Sequence, residues 1–210
     1  MGIPKLQKEY EIKYGHIPDN QEDQLAYIRD HYNINMDKVD NEILKIQALQ
    51  WKELSFTLSI LPNPAPRPRT GGGHFYVKGA KDHKNYMEYI VDEKMIICTR
   101  TNLSVTTYHP IPVSSMTATE IYLAQLGHLD PISNPDWDNL GKTYSDMIQG
   151  ILLMNDNIVN PGSVRKKYSI KPRIEINIQY QDGFDSKFNE RRVKSSKVYK
   201  EYYNLGMIRE

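Results

Sequence analysis

Hydrophobic residues recur at helical intervals through the first part of the chain and then switch to alternation. Leu25, Ile28 and Tyr32 share one helix face, and Asp19 with Glu22 has the form of a capping box ahead of them. Asp37 is placed to cap a second helix through Val39, Ile43, Ile46 and Trp51. From Ser55 the period drops to two. In SFTLSIL, Phe56, Leu58 and Ile60 alternate with Ser55, Thr57 and Ser59, the pattern of a half-buried strand. PNPAPRPRTGGG follows; its prolines and glycines bar helix and central strand, so it is a loop. HFYVKG reads as a short returning strand. Lys81 to Met95 reads as a helix, with Tyr86, Tyr89, Ile90 and Glu93 at helical spacing. SVTTYHPIPV reads as extended, and Ala118 to Leu126 as a short helix.

The stretch NPDWDNLGKTYSDMIQGILLMNDNIV then predicts turn, helix and strand. Pro135 keeps Asn134 out of the helical region, and Asp138 is a candidate N-cap. Leu140, Tyr144, Met147, Ile148, Ile151 and Leu152 form the buried stripe of a helix from about Asn139 to Leu153. DNIV starts a strand. RIEINIQY is a second, with Ile174, Ile176 and Ile178 on one face. The residues after Gly183 are polar, basic and tyrosine-bearing, with some helix. The expected class is α+β: a helical N-terminal extension (1–53), a mixed-sheet domain (54–182) and a basic tail (183–210).

Composition adds little to this picture; charge adds more. With 210 residues, 39% hydrophobic and 25% charged, the chain suits one medium domain plus an appendage. A single cysteine, Cys98, excludes an intrachain disulfide. MGIPKLQKEY has no apolar core of the signal-peptide kind, and no apolar run is long enough to span a bilayer, so a soluble, cytoplasmic protein is expected. The net charge of +1 conceals a partition. Residues 1–54 carry 7 bases against 10 acids, 64–100 carry 7 against 4, 101–160 carry 1 against 6, and 161–210 carry 12 against 6. Two readings fit. Carboxylates within a basic surround suit a polyanion that must reach a metal; alternatively, these blocks are ordinary solvated faces.

The acids of the central block are spaced for chemistry. Asp136 and Asp138 are two apart and point the same way on an extended turn. Lys142 lies one helical turn beyond Asp138, and Asp156 returns after the helix. If the strand after Asp156 lies beside Asp136, three carboxylates meet one ammonium. Mg²⁺ takes such oxygen ligands together with water and phosphate oxygens, which suits phosphodiester hydrolysis. The plainer reading is a turn, a cap and a surface pair of Lys142 with Asp146. GKT at 141–143 is no Walker loop, because the first glycine of that motif would fall on Asp136. NDNIVNPG lacks the alternate acids of a calcium loop, and no histidine has zinc-site spacing.

Three segments in order resemble the RusA family of Holliday-junction resolvases: PAPRPRTGGGHFYVKGAKDHKNYMEY, the P-D-x-D-N-x-x-K core within NPDWDNLGKTYSDMIQGILLMNDNIV, and KKYSIKPRIEINI. The likeness covers about residues 54–181. It implies a Mg²⁺-dependent endonuclease (Mn²⁺ being an alternative), a small α+β fold, a homodimer, and a four-way DNA junction as substrate. By position, Asp136, Asp138 and Asp156 would bind metal and take part in catalysis, with Lys142 the essential lysine. Where the family has an acidic pair, this chain has Asn155-Asp156. On this reading Arg67, Arg69, Lys78, Lys81, Lys166 and Lys167 contact DNA phosphates. Two rivals remain: a nuclease for flaps or forks, and an inactive branched-DNA-binding protein of the same fold.

Overall fold

Helices α1 (Lys5–Tyr14), α2 (Gln21–Tyr32) and α3 (Met36–Ala48) occupy the first of two compact units, Met1–Ala48; the second is Leu49–Glu210. The computed structural model describes residues 5–16, 20–63, 85, 88, 91, 95–133 and 135–209. In the first unit Tyr27 of α2 is buried, and its ring meets Tyr10 edge-on at 4.3 Å between centroids. Two caps differ from the sequence reading. Asn20 caps α2, its Oδ1 accepting from the Asp23 N–H at 2.9 Å; Asp19 lies outside the described residues. Asn35 rather than Asp37 caps α3, accepting from the Lys38 N–H at 3.0 Å. Asp37 sits instead in the first turn, where its charge still favours the helix dipole.

The second predicted helix also ends earlier than its periodicity suggested. Trp51 leaves it to open strand β1 (Trp51–Leu58), whose eight residues all pair antiparallel with β5 (Arg173–Gln181), from Trp51 opposite Gln181 to Leu58 opposite Ile174. A full ladder of this length overrides one residue's helical spacing. The sheet has four strands in the order β1-β5-β3-β4, with β3 (Thr101–Pro110) antiparallel to β5 and parallel to β4 (Val159–Ser169). Parallel neighbours need a long crossover. Here it contains α4 (Ala118–Leu126), opened by a Thr117–Glu120 capping box, and α5 (Trp137–Ile148). Ile174, Ile176 and Ile178 join Leu103, Val105 and Leu58 on one buried sheet face, against Leu140, Tyr144, Met147 and Ile148 of α5. The opposite face is polar, with Asn177 donating to Glu53 and Ser55.

Helix α5 starts two residues earlier and stops five earlier than predicted. Past Ile148 the chain turns at Gly150, where φ is +79°. The N–H groups of Ile151, Leu152 and Leu153 all converge on the Ile148 carbonyl, and Met154 then pairs with Ile97. Ile151 and Leu152 are buried as expected, but by this turn rather than by a helix. Residues 156–158 form a 3-10 turn, so the strand begins at Val159 and not at Asp156. Residues 183–210 do not stand apart. They form α6 (Lys187–Ser195), α7 (Lys197–Asn204) and β6 (Ile208–Arg209), which pairs with β2 (Ile96–Ile97). Tyr199 packs with Ile96, Cys98 and Met154 in a second cluster, which ties this segment to the sheet domain. The predicted HFYVKG strand lies outside the described residues, as does most of the Pro-rich loop; of the predicted 81–95 helix, positions 85 and 88 are helical. Among the described residues no helix is long and apolar enough to cross a membrane.

Candidate active site

The start of α5 is held against β4 from both sides of its first turn. Trp137 Nε1 donates to the Val164 carbonyl at 3.1 Å. One turn on, Gly141 lets the helix approach closely: a Cβ there would lie 3.1 Å from Val164 Cγ2. Glycine in this GKT run therefore has a packing role. Lys166, two residues along the same face of β4, reaches the loop before the helix. Its Nζ donates to the carbonyls of Ser133 at 2.8 Å and Pro135 at 3.2 Å. Lys166, predicted to contact DNA phosphates, thus has its ammonium engaged within the protein, where it fixes the residue just ahead of Asp136.

This packing leaves a cavity of about 350 Å³ between α5 and the β3/β4 pair. Asp138, Lys142 and Asp156 line it together, beside Ser145 and Ser163. Asp138 and Lys142 come from one face of α5, as their i, i+4 spacing requires. Asp156 comes from the 3-10 turn before β4. Asn155 caps that turn, its Oδ1 accepting from the Asn157 N–H at 3.0 Å. The asparagine thus shapes the backbone, and the acid after it faces the cavity. All three charged residues are exposed. The surface pair of Lys142 with Asp146 is not formed, since no ion pair joins them within 4.0 Å and Asp146 is not among the lining residues. On the buried side, Tyr144 anchors the helix. Burial pushes its hydroxyl up to about 12, and its oxygen accepts the Asn63 N–H at 3.3 Å, tying α5 to the start of the Pro-rich loop.

Asp136 stands differently from the expectation. It occupies the N-cap position in an extended conformation, while Asp138 is already helical, the second residue of the first turn, so Asp138 is not the cap. The alternation that would aim both carboxylates one way is broken by the helix start between them. Asp136 is exposed and does not line the cavity. Among the described residues no three His, Cys, Asp or Glu side chains converge in a metal-binding group. Two carboxylates on one exposed cavity nevertheless fit Mg²⁺, which commonly takes one or two carboxylates and completes its shell with water and phosphate oxygens. Asp138 and Asp156 are the residues that would hold it.

Of the predicted DNA contacts, Arg67, Arg69, Lys78 and Lys81 lie outside the described residues. Lys167 points to the sheet face opposite Lys166, near Gly127 at the end of α4; a Cβ on that glycine would sit 4.0 Å from its Nζ.

Residues 59–179, more than half of the chain, match the family model for the RusA endodeoxyribonucleases. The chain belongs to the RusA family. The match runs from the end of β1 nearly to the end of β5 and includes Asp136, Asp138, Lys142 and Asp156; α1–α3 and α6–α7 lie outside it. RusA membership places the chain among DNA nucleases. A curated relative, the uncharacterized protein YqaN of Bacillus subtilis (strain 168), is 27% identical over 135 residues, covering 60% of this chain and 95% of that protein. Helices α1–α3 precede the family match and α6–α7 follow it.

Proposed function

We propose that this RusA-family protein is a Mg²⁺-dependent endonuclease that resolves four-way DNA junctions by paired phosphodiester cleavage, working as a cytoplasmic homodimer. The observation that carries the reading is the meeting of Asp138, Lys142 and Asp156, from two separate elements, on one exposed cavity. When bound, Mg²⁺ supplies a Lewis acid and lowers the pKa of coordinated water. Asp138 and Asp156 would hold it, with Asp136 as a further carboxylate ahead of the helix. Lys142 would set its ammonium against the scissile phosphate and stabilise charge as it develops on the oxygens. The first turn of α5 adds the positive end of its dipole to the same place. A junction has approximate two-fold symmetry and needs two matched cuts, which two identical sites about a two-fold axis supply.

The test uses labelled four-way, three-way, flap and linear DNA, with and without Mg²⁺ or Mn²⁺. Metal-dependent, paired cuts in the four-way substrate are expected. Asp138→Asn, Asp156→Asn and Asp136→Asn should abolish cutting and preserve, or tighten, binding without metal, because each relieves repulsion toward DNA phosphates. Lys142→Ala should keep metal binding and lose turnover. Wild-type cleavage rates in Asp138→Asn and Asp156→Asn would end the assignment of this site.

A further inference from the structure

A second and larger cavity, of about 790 Å³, lies on the other side of the Asp156 turn. Asp156 lines the first cavity, while Asn157 and Asn160 line this one. Adjacent residues are only about 3.8 Å apart along the chain, so the two cavities share a single turn as a wall. The far wall comes from α6, beyond the RusA match, and it brings Arg192 opposite Arg100 from the β2–β3 link.

The chemistry of this cavity is that of an anion site. Arg100 is oriented by two contacts: its Nε lies 3.5 Å from the Asn160 carbonyl, and its guanidinium sits 5.9 Å from the Trp51 ring centroid. Neither terminal nitrogen of Arg100 has a hydrogen-bond partner among the described residues, and Arg192 makes no ion pair among them. The one carboxylate in the lining, Asp185, accepts through Oδ1 from Asn189 Nδ2 at 2.7 Å and from Ser186 Oγ at 3.1 Å, and its single charge is set against two guanidinium groups. Arg100, Arg192, Asn157 and Asn160 are all exposed and within reach of an incoming strand. Two planar forks of N–H donors flanked by amides match the oxygens of a phosphate.

We propose that this cavity is a DNA-backbone subsite, in which Arg100 and Arg192 hold a phosphate of the strand whose scissile phosphate lies at Asp138, Lys142 and Asp156. The proposal rests on the nuclease reading above. It gives the C-terminal helices, which lie outside the family core, a function: they extend the DNA track past the reacting phosphate. The pair could not be found from spacing, because 92 positions separate the two arginines in the chain.

The experiment measures junction affinity without divalent metal across a salt series. Abolishing one phosphate interaction lowers the slope of log affinity against log salt by about 0.9 on duplex DNA and about 0.7 on a single strand. Arg192→Gln is expected to lower the slope by one such step, and Arg100→Gln with Arg192→Gln by up to two. Arg192 is an exposed helix residue without an ion pair among the described residues, and an unchanged denaturation curve will confirm that its variant folds. Arg191→Gln is the control. It removes the same charge one position away, but Arg191 does not line the cavity and its Nε is bound to the Lys187 carbonyl. An equal drop in Arg191→Gln, or no drop in the double variant, overturns the subsite. Loss of inorganic-phosphate binding with an unchanged DNA slope would make it a free-anion site and overturn it as well. Failure of the subsite leaves the metal-dependent cutting of wild-type protein untouched, whereas a wild type that binds no DNA overturns both readings.

Discussion

Lys166→Met separates two roles for one lysine. Methionine keeps an apolar stem of similar reach and removes the ammonium. Two interactions disappear with it: a hydrogen bond of 2.8 Å to Ser133 and a weaker one of 3.2 Å to Pro135, both from a charged donor. Hydrogen bonds to charged groups are worth about 1.5–3 kcal/mol each, and water can partly replace a donor at a half-buried site. A net loss of about 1.5 kcal/mol is therefore expected, most of it in the loop ahead of Asp136. If that loss falls wholly on the reactive arrangement, cleavage slows about tenfold, since about 1.4 kcal/mol is one decade of rate. The assays are urea denaturation, single-turnover cleavage, and junction affinity across a salt series. Lower stability and slower cleavage with an unchanged salt slope are expected. Full stability with a slope reduced by about 0.9 would show that Lys166 is a phosphate contact instead, and would refute the clamp.

Three further outcomes are expected. Asn155→Ala removes the cap of the 3-10 turn and should destabilise the domain by about 1 kcal/mol while slowing cleavage, whereas Asn155→Asp, which keeps an accepting oxygen, should restore both; equal loss in the two variants would count against the cap. His109 is held below its usual 6.5 by burial and then by the Lys166 charge, with its Nε2 3.0 Å from Thr107 Oγ1. Its neutral form is favoured in the fold, so its contribution is complete above about pH 6.5 and is lost as pH falls below that toward the lowered folded value; His109→Gln should flatten this part of the stability–pH curve, and a curve parallel to wild type would refute it. Removal of residues 1–48 cuts at the boundary between the two units and leaves β1 whole, so the remainder should unfold cooperatively and still cut junctions; a folded but inactive remainder would show that α1–α3 are not accessory.

The sequence by itself determined those features whose physics is local. Alternation at Ile174, Ile176 and Ile178 marked a strand buried on one face, and the 3.6-residue stripe through Leu140, Tyr144, Met147 and Ile148 marked the site helix. The i, i+4 spacing of Asp138 and Lys142 placed two of the three cavity residues on one face, because helix geometry leaves no other outcome. Tertiary structure decided the features that depend on partners distant in the chain. Trp51 satisfies a helical period and yet lies in a strand, because pairing with Gln181 competes with the helix and wins. The polar C-terminal segment read as a tail, yet Tyr199 finds Ile96, Cys98 and Met154 to bury it. Lys166 read as a surface base, and only the parallel pairing of β3 with β4, which carries β4 under the start of α5, brings its ammonium to the carbonyls of Ser133 and Pro135. A periodicity reports which side of an element is apolar; which element that side or that charge will meet depends on chain closure over tens of residues, and that leaves no mark on local spacing.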